Sequence, residues 1–165
     1  MVHLTDLEVR DLARMSGIVV DSALRLHRDL GPGLLESVYE TLLARALQKQ
    51  GLDVQRQVPI RFSYDGADFP VGFRADILVG HQLLVEVKSV EQTLKSHVKQ
   101  VVTYVRLANL PAGLLLNFGA PLLRLGMKRI ANHPPLTGTR LPTHFGATQP
   151  VEVDGVQYLH GTGHG

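Results

Sequence analysis

The pattern of apolar and polar residues predicts two helices at the start of the chain. Apolar residues recur at helical spacing over residues 7–30 and again over residues 35–50. Thr5 and Glu8 fit a capping box in front of the first helix. The run Gly-Pro-Gly at 31–33 separates the two, because these residues break a helix and let the chain turn.

Alternating residues then predict strands. The segments "VQRQVPIRFSY", "FRADILV" and "LLVEVKS" alternate well enough, with an Asp65-Gly66 hairpin signal and a short Gly80–Gln82 link between the last two. A third helix is predicted over residues 92–107, and "AGLLLNF" and "LRLGMKRI" predict two further strands around Pro121. The order ααβββαββ favours a mixed α/β class, with a sheet flanked by helices.

The composition changes near residue 131. The segment "NHPPLTGTRLPTHFGATQP" is rich in Pro, Gly and Thr and has little periodicity. We therefore expect one domain over residues 1–131 and a loosely ordered tail over 132–165. A small hairpin about Asp154-Gly155 is the one element that the tail sequence favours.

Bulk composition narrows the classes of protein. The chain has 165 residues, of which 44% are hydrophobic and 19% charged, as in a soluble globular domain. It has no cysteine, which excludes disulfides and thiolate metal sites and favours the cytoplasm. The sequence shows no signal peptide and no apolar run near the ~20 residues that cross a bilayer, so we expect no membrane partner. A net charge of +2 permits an anionic partner without requiring one.

The second and third strands carry charged residues. If residues 80–82 form a three-residue hairpin loop, Asp76 lies opposite Glu86, and Arg74 lies opposite Lys88 on the same face. Like charges placed directly opposite destabilise a sheet. Two interpretations follow: a self-neutralising quartet with Arg74 next to Glu86 and Lys88 next to Asp76, or a divalent cation such as Mg²⁺ between the carboxylates.

Polar residues on the helices add to this set. Glu36 and Tyr39 share one face of the second helix, directly after the Gly-Pro-Gly break. On the third helix, Gln100 and Tyr104 lie together with His97 on one flank of the buried stripe. These side chains either border the core, bonded to the backbone, or serve a functional site. The apolar stripe itself consists of Leu94, Val98, Val101, Val102 and Val105.

Residues 18–131 closely resemble the GxxExxY proteins, named for a motif present here as Gly33, Glu36 and Tyr39. That group is similar to the PD-(D/E)XK nuclease superfamily. The motifs "LGPGLLESVYE", "FRADILV", "LLVEVKS", "KQVVTYVRL" and "GLLLNFGAPLLRLGMKRI" occur in order. The resemblance implies a restriction-endonuclease-like core, αβββαβ, with a mixed sheet flanked by helices.

The resemblance also implies a metal site. Asp76 and Glu86 would be the metal-binding acids, Lys88 the lysine of the ExK signature, and Glu36 a further acid of the metal site. The three residues Asp76, Glu86 and Lys88 would be catalytic. The implied cofactor is Mg²⁺, with Mn²⁺ as a substitute, since these ions prefer oxygen ligands.

The implied function is metal-dependent hydrolysis of phosphodiester bonds in nucleic acid, with DNA favoured over RNA. Gln100 and Tyr104 match the QxxxY pattern of the exonuclease branch and would contact substrate phosphates, as would His97. Arg74 could assist there or act only in a salt bridge, and Tyr39 could hold Glu36 or a phosphate or simply border the sheet. The alternative is a catalytically inactive module that binds nucleic acid or protein on the same fold. A homodimer is a further expectation.

Overall fold

A mixed β-sheet with helices packed on both faces forms the protein. The computed structural model describes residues 4–132, 150–153 and 156–160. The element order confirms the predicted α/β class and the αβββαβ core. The elements are α1 (Asp6–Leu30), α2 (Glu36–Lys49), β1 (Val54–Tyr64), β2 (Ala67–Val79), β3 (Leu83–Lys88), α3 (Lys95–Leu107), β4 (Ala112–Asn117), β5 (Met127–Ala131), β6 (Pro150–Val153) and β7 (Val156–His160).

The turn between α1 and α2 sets where α2 begins. The predicted Thr5–Glu8 capping box is present and opens α1. Gly31 and Gly33 have φ angles of 70° and 113°, which residues with a Cβ rarely adopt. The chain therefore reverses within a few residues, and Glu36 becomes the first residue of α2.

The hairpin of β1 and β2 is longer than the sequence predicts. Asp65 and Gly66 form its two-residue turn with φ angles of 48° and 75°, and Tyr64 pairs with Ala67 across it. Pairing begins at that turn, so β2 starts at Ala67. The first part of the strand, which contains Pro70, is exposed and does not alternate between buried and exposed residues.

The register between β2 and β3 is the predicted one where the two strands pair. Val79 pairs with Leu83, and the ladder ends at Ile77 and Val85. The predicted direct pairs of Asp76 with Glu86 and of Arg74 with Lys88 lie beyond this ladder. Arg74 pairs with Pro59 of β1, which lies along the other side of β2 from Val79 to Ala67.

Strands β3 and β4 run parallel and are joined by α3, which packs on one face of the sheet. Helices α1 and α2 pack on the other face. Alternation along β3 divides its side chains accordingly, with Val85 and Val87 in the α1–α2 layer and Leu84 in the α3 layer. Lys88 at the end of β3 pairs with Asn117 at the end of β4.

Two further elements have bounds that differ from the predicted ones. The segment "LRLGMKRI" is a 3₁₀ turn at Leu123–Gly126 followed by β5, because the chain curls back there and a Cβ on Gly126 would meet the backbone oxygen of Asn117 at 2.6 Å. Helix α3 begins at Lys95, and the predicted stripe residue Leu94 is exposed at its N-cap position.

The sheet has the order β1-β2-β3-β4-β5-β7-β6. The first five of these strands belong to the predicted core, and the hairpin expected in the tail adds β7 and β6 at one edge. Most of the tail predicted over 132–165 lies outside the described residues. In the part of the chain that the structure describes, no helix is long and apolar enough to cross a membrane.

Candidate active site at the ends of β2 and β3

Asp76, Glu86 and Lys88 come together where β2 and β3 cease to pair. The Asp76 carboxylate accepts a hydrogen bond from the backbone N–H of Val87 at 2.8 Å, so it lies against β3 although the ladder has ended. Glu86 and Lys88 are two residues apart on β3, and their side chains form an ion pair of 3.0 Å. The open end of the hairpin thus holds two acids and one lysine.

Glu86 is the most unusual of these groups. Its side chain is buried, and its Oε2 atom has no hydrogen-bond partner among the described residues. Burial raises the pKa of Glu86 to about 7, and the charge of Asp76 adds to the rise, while Lys88 opposes it. A buried, unpaired carboxylate oxygen is costly, and it is a free ligand position for a cation.

Asp76 is held from a second direction by Gln57. The Gln57 amide donates to Asp76 at 3.4 Å and to Glu40 at 3.0 Å, and Arg56 pairs with Glu40 at 3.0 Å. Burial raises the pKa of Asp76; the Val87 N–H lowers it, and the nearby Glu40 carboxylate raises it again. Glu40 is buried, and it holds the Gln57 amide that donates to Asp76.

Glu36 reaches the same region from α2. Its carboxylate accepts the backbone N–H of Ser89 at 3.2 Å, directly after Lys88, and the Ser89 hydroxyl donates to the carbonyl of Leu34 at 2.7 Å. The acids around Lys88 raise its pKa. Burial lowers this pKa, but Glu86, Glu36 and Asp76 together leave it above the ordinary value. The lysine is therefore a firmly protonated ammonium group.

The predicted self-neutralising quartet is wrong. Lys88 pairs with Glu86 and not with Asp76. Arg74 is exposed, and among the described residues its guanidinium donates to the carbonyl of Gln57 on β1, at 3.4 Å. No ion pair joins Arg74 to Glu86 within the described ranges.

Tyr39 is fully buried, which corrects the expectation that it contacts a substrate phosphate. Its ring stacks on Phe118 with centroids 4.4 Å apart. Its hydroxyl donates to the carbonyl of Gly31 and accepts the N–H of Leu34 at 3.2 Å. Tyr39 therefore fixes the loop in front of α2, which carries Glu36.

On α3, the structure brings together one of the predicted pairs. The Gln100 amide donates to the Tyr104 hydroxyl, and the Tyr104 ring stacks on Phe73 of β2. The Nδ1 atom of His97 accepts the N–H of Leu94 at 3.2 Å, at the start of the helix. Among the described residues, no hydrogen bond links this flank to Glu86 or Lys88.

Comparison with known families decides the assignment. The sequence profile of the PD-(D/E)XK nuclease superfamily matches residues 13–130. The chain belongs to the PD-(D/E)XK nuclease superfamily. Comparisons with curated proteins and with solved structures gave no match.

Two residues that support the candidate site escape sequence reasoning. Gln57 joins Asp76 to Glu40 through its amide, and Ser89 holds Glu36. The sequence leaves Glu40 as a solvent-facing or a supporting acid, and its burial agrees with the supporting role. Asn117 is 1% exposed and fixes the loop after β3. The position of Ser89 next to the ExK lysine is the one local signal for this group.

The superfamily implies a divalent metal, and the acids present fit one in their chemistry. No cluster of three or more acidic or histidine side chains close enough to hold a metal occurs in the described part of the chain. Mg²⁺, however, is commonly held by one or two carboxylates, with water and substrate phosphate completing its shell. Asp76 and the unpaired oxygen of Glu86 provide that number of ligands.

Proposed function

We propose that the protein is a metal-dependent nuclease that hydrolyses phosphodiester bonds in nucleic acid, with DNA favoured over RNA, and that it is a member of the GxxExxY group. The observation that carries this proposal is the meeting of Asp76, Glu86 and Lys88 at one strand end, with a buried Glu86 oxygen for which the described part of the chain offers no hydrogen-bond partner. Packing alone gives no reason to bury that oxygen, since an unsatisfied carboxylate destabilises a fold.

Asp76 and Glu86 would hold the metal, because Mg²⁺ or Mn²⁺ suits their oxygen donors. Glu36, whose carboxylate accepts the Ser89 N–H, would add negative charge nearby rather than a third ligand. When bound, the metal supplies charge to polarise the phosphate and lowers the pKa of an attacking water. The Val87 N–H and the Gln57 amide keep the Asp76 carboxylate at the site.

Lys88 supplies a fixed positive charge. Its ammonium group is partly buried, and a charge in such a place acts more strongly than one in water. In the proposed reaction it orients the water or offsets the negative charge that grows on the phosphate oxygens. Burial lowers the pKa of Lys88, but the neighbouring acids hold it above the ordinary value, so the metal-free protein presents this side chain as an ammonium group.

The α3 flank and Arg74 would bind the substrate strand. Gln100 and Tyr104 form one hydrogen-bonded unit, and the exposed guanidinium of Arg74 faces solvent near Gln57. His97 can offer only Nε2 to a phosphate, since Nδ1 is bonded to Leu94. We expect these groups to affect substrate binding more than the chemical step.

The test is cleavage of single-stranded DNA, double-stranded DNA and RNA with Mg²⁺, Mn²⁺ or EDTA. We expect metal-dependent cleavage, a loss below detection in Asp76→Asn, and a loss of about 10²–10³-fold in Lys88→Ala. The matched controls are Asp68→Asn, an exposed acid of the same strand, and Lys49→Ala on α2. Cleavage that persists in Asp76→Asn would contradict the proposal.

One observation favours the alternative, a module that only binds nucleic acid or protein. Lys88 already neutralises one oxygen of Glu86, as it would in a site without a metal. A thermal-shift titration with Mn²⁺ separates the two: stabilisation that disappears in Glu86→Gln supports the metal site. No response to the metal, together with no cleavage, supports the binding module.

A further inference from the structure

A cavity of about 340 Å³ opens beside the proposed active site, at the carboxyl ends of the parallel strands β3 and β4. Its walls are the loop at residues 91–93, which leads into α3, and the chain from Ala120 to Lys128. Ligands of open α/β sheets bind at the carboxyl ends of the strands. The volume is near the lower end of the ~300–1,000 Å³ usual for ligand pockets, so it suits a single nucleotide unit rather than a duplex.

This cavity is one strand away from Lys88. Asn117, which lines the cavity, pairs with Lys88 in the β3–β4 ladder, and neighbouring strands are about 4.8 Å apart. The N–H of Phe118 donates to the carbonyl of Lys88 at 2.7 Å. A nucleic-acid strand with its phosphate at Lys88 would therefore bring an adjoining nucleotide to the cavity.

The walls of the cavity are fixed by Asn117. Its side chain is almost fully buried and makes four hydrogen bonds: it accepts the N–H groups of Val90 and Gly119, both at 3.0 Å, and donates to the carbonyl of Val90 and the hydroxyl of Thr93. Gly119 packs so closely on Val90 that a Cβ would meet its backbone at 2.3 Å. The two loops are thus held together as one preformed wall.

The side chains at the mouth of the cavity can recognise a base. Glu91 and Gln92 are exposed in the lining and make no hydrogen bond to any residue that the structure describes. A carboxylate accepts from an exocyclic amino group, and a Gln amide both donates and accepts. Leu125 is 66% exposed and offers an apolar surface to the face of a ring.

We propose that this cavity is a specificity subsite for the base next to the scissile phosphate. Glu91, with Gln92 beside it, favours bases whose pairing edge carries an amino group, namely adenine, cytosine and guanine, over thymine and uracil, which lack one. The subsite rests on the proposed nuclease function, since the substrate strand must pass Lys88 to reach it.

The first test sequences the ends produced from a substrate randomised around the cleaved bond. We expect one position at which adenine and cytosine are favoured over thymine by about tenfold, because a matched base contact discriminates to that degree. The preference falls to below about twofold in Gln92→Ala and in Glu91→Ala. Gln48→Ala, an exposed glutamine on α2, is the matched control and keeps the preference.

A second test does not depend on cleavage. The full chain is titrated with dAMP, dCMP and dTMP, and the side-chain amide signals of Gln92 are followed by NMR. We expect saturable shifts for dAMP and dCMP that dTMP does not produce, and that vanish in Glu91→Ala, which keeps the Gln92 amide.

The two tests separate the two proposals. Cleavage with a flat base preference overturns the subsite and leaves the nuclease function. Selective nucleotide binding without cleavage overturns the nuclease function and leaves the cavity as a nucleotide-binding site of a binding module. The absence of both overturns both.

Discussion

Glu86 keeps a carboxyl group almost entirely away from water while only one of its oxygens has a partner within the described structure. Desolvation and the charge of Asp76 both favour the protonated form, and Lys88 alone among its neighbours favours the charged one. The result is a carboxyl group with a pKa of about 7. At this residue, the stability conflict and the proposed ligand position are the same feature.

The pKa of Glu86 predicts how the metal-free protein responds to pH. Because its pKa rises from an ordinary value of 4.5 to about 7 in the folded protein, the folded state binds a proton that the unfolded state releases. The stabilisation is complete below pH 4.5 and is lost as the pH rises through 7. We expect on the order of 3 kcal/mol of unfolding free energy to be lost across this window, measured by urea unfolding in EDTA. In Glu86→Gln this part of the slope should be absent; identical slopes in both proteins would contradict the assignment.

Tyr39 gives a second prediction, because its hydroxyl serves the fold. Tyr39→Phe removes the partner of both the Gly31 carbonyl and the Leu34 N–H, so we expect a loss of about 1–2 kcal/mol of unfolding free energy. Urea unfolding measures it, with Tyr64→Phe, an exposed tyrosine, as the control near zero. A raised KM with unchanged stability would instead place the hydroxyl against the substrate.

At the scale of elements, local pattern predicted most of the fold. Alternation and the Asp65-Gly66 turn predict β1, and the three residues 80–82 predict the register of β2 on β3, because turn length fixes register in a hairpin. The same rule cannot say where pairing stops. The β2–β3 ladder ends at Ile77 and Val85, whereas β2 pairs with β1 on its other side from Val79 to Ala67. The predicted pairing of Arg74 with Lys88 therefore does not form, although the register is the predicted one.

The support of the site was not predictable because it depends on contacts between elements. Gln57 and Glu40 belong to different elements, and nothing near either in sequence indicates that the Gln57 amide donates to both Glu40 and Asp76. Tyr39 has the spacing of a functional residue, yet its burial follows from the position of Phe118 on the sheet. Spacing along a helix defines its faces; tertiary packing decides what each face meets.

The link between α2, β1 and β2 gives the third prediction. In Gln57→Glu the donor between Glu40 and Asp76 becomes a further acid, so two hydrogen bonds are lost and three like charges meet. We expect a loss of about 2 kcal/mol at pH 8, partly recovered at pH 5 as the acids take up protons, and a lower kcat at pH 8. Gln55→Glu is the control on the same strand, with an exposed side chain. Equal effects of both variants would show that Gln57 does not position Asp76.

At the scale of the whole molecule, the two helical layers lie on opposite faces of the sheet, and each supplies candidate side chains. Helix α2 on one face supplies Glu36 through its first residue, and α3 on the other face supplies Gln100 and Tyr104. The parallel pair β3 and β4 ends between them, at Lys88 and Asn117. A mixed sheet with helices on both faces thus collects acids, an ammonium group and a nucleotide-sized cavity at a single edge.

This arrangement predicts that metal binding and pH act on stability in opposite directions. A metal binds the charged carboxylates, so its affinity rises with pH as Glu86 loses its proton, whereas the metal-free protein loses stability over the same range. We therefore expect the increase in Tm caused by Mn²⁺ to be larger at pH 8 than at pH 5.5. At a hundredfold excess over Kd, the gain at pH 8 should approach about 2.7 kcal/mol. Differential scanning fluorimetry measures it, with Asp68→Asn as a control that retains the response and Glu86→Gln as the variant that loses it. A shift that is the same at both pH values would mean that the metal binds away from Glu86, and the acids at the end of β3 would then need another explanation.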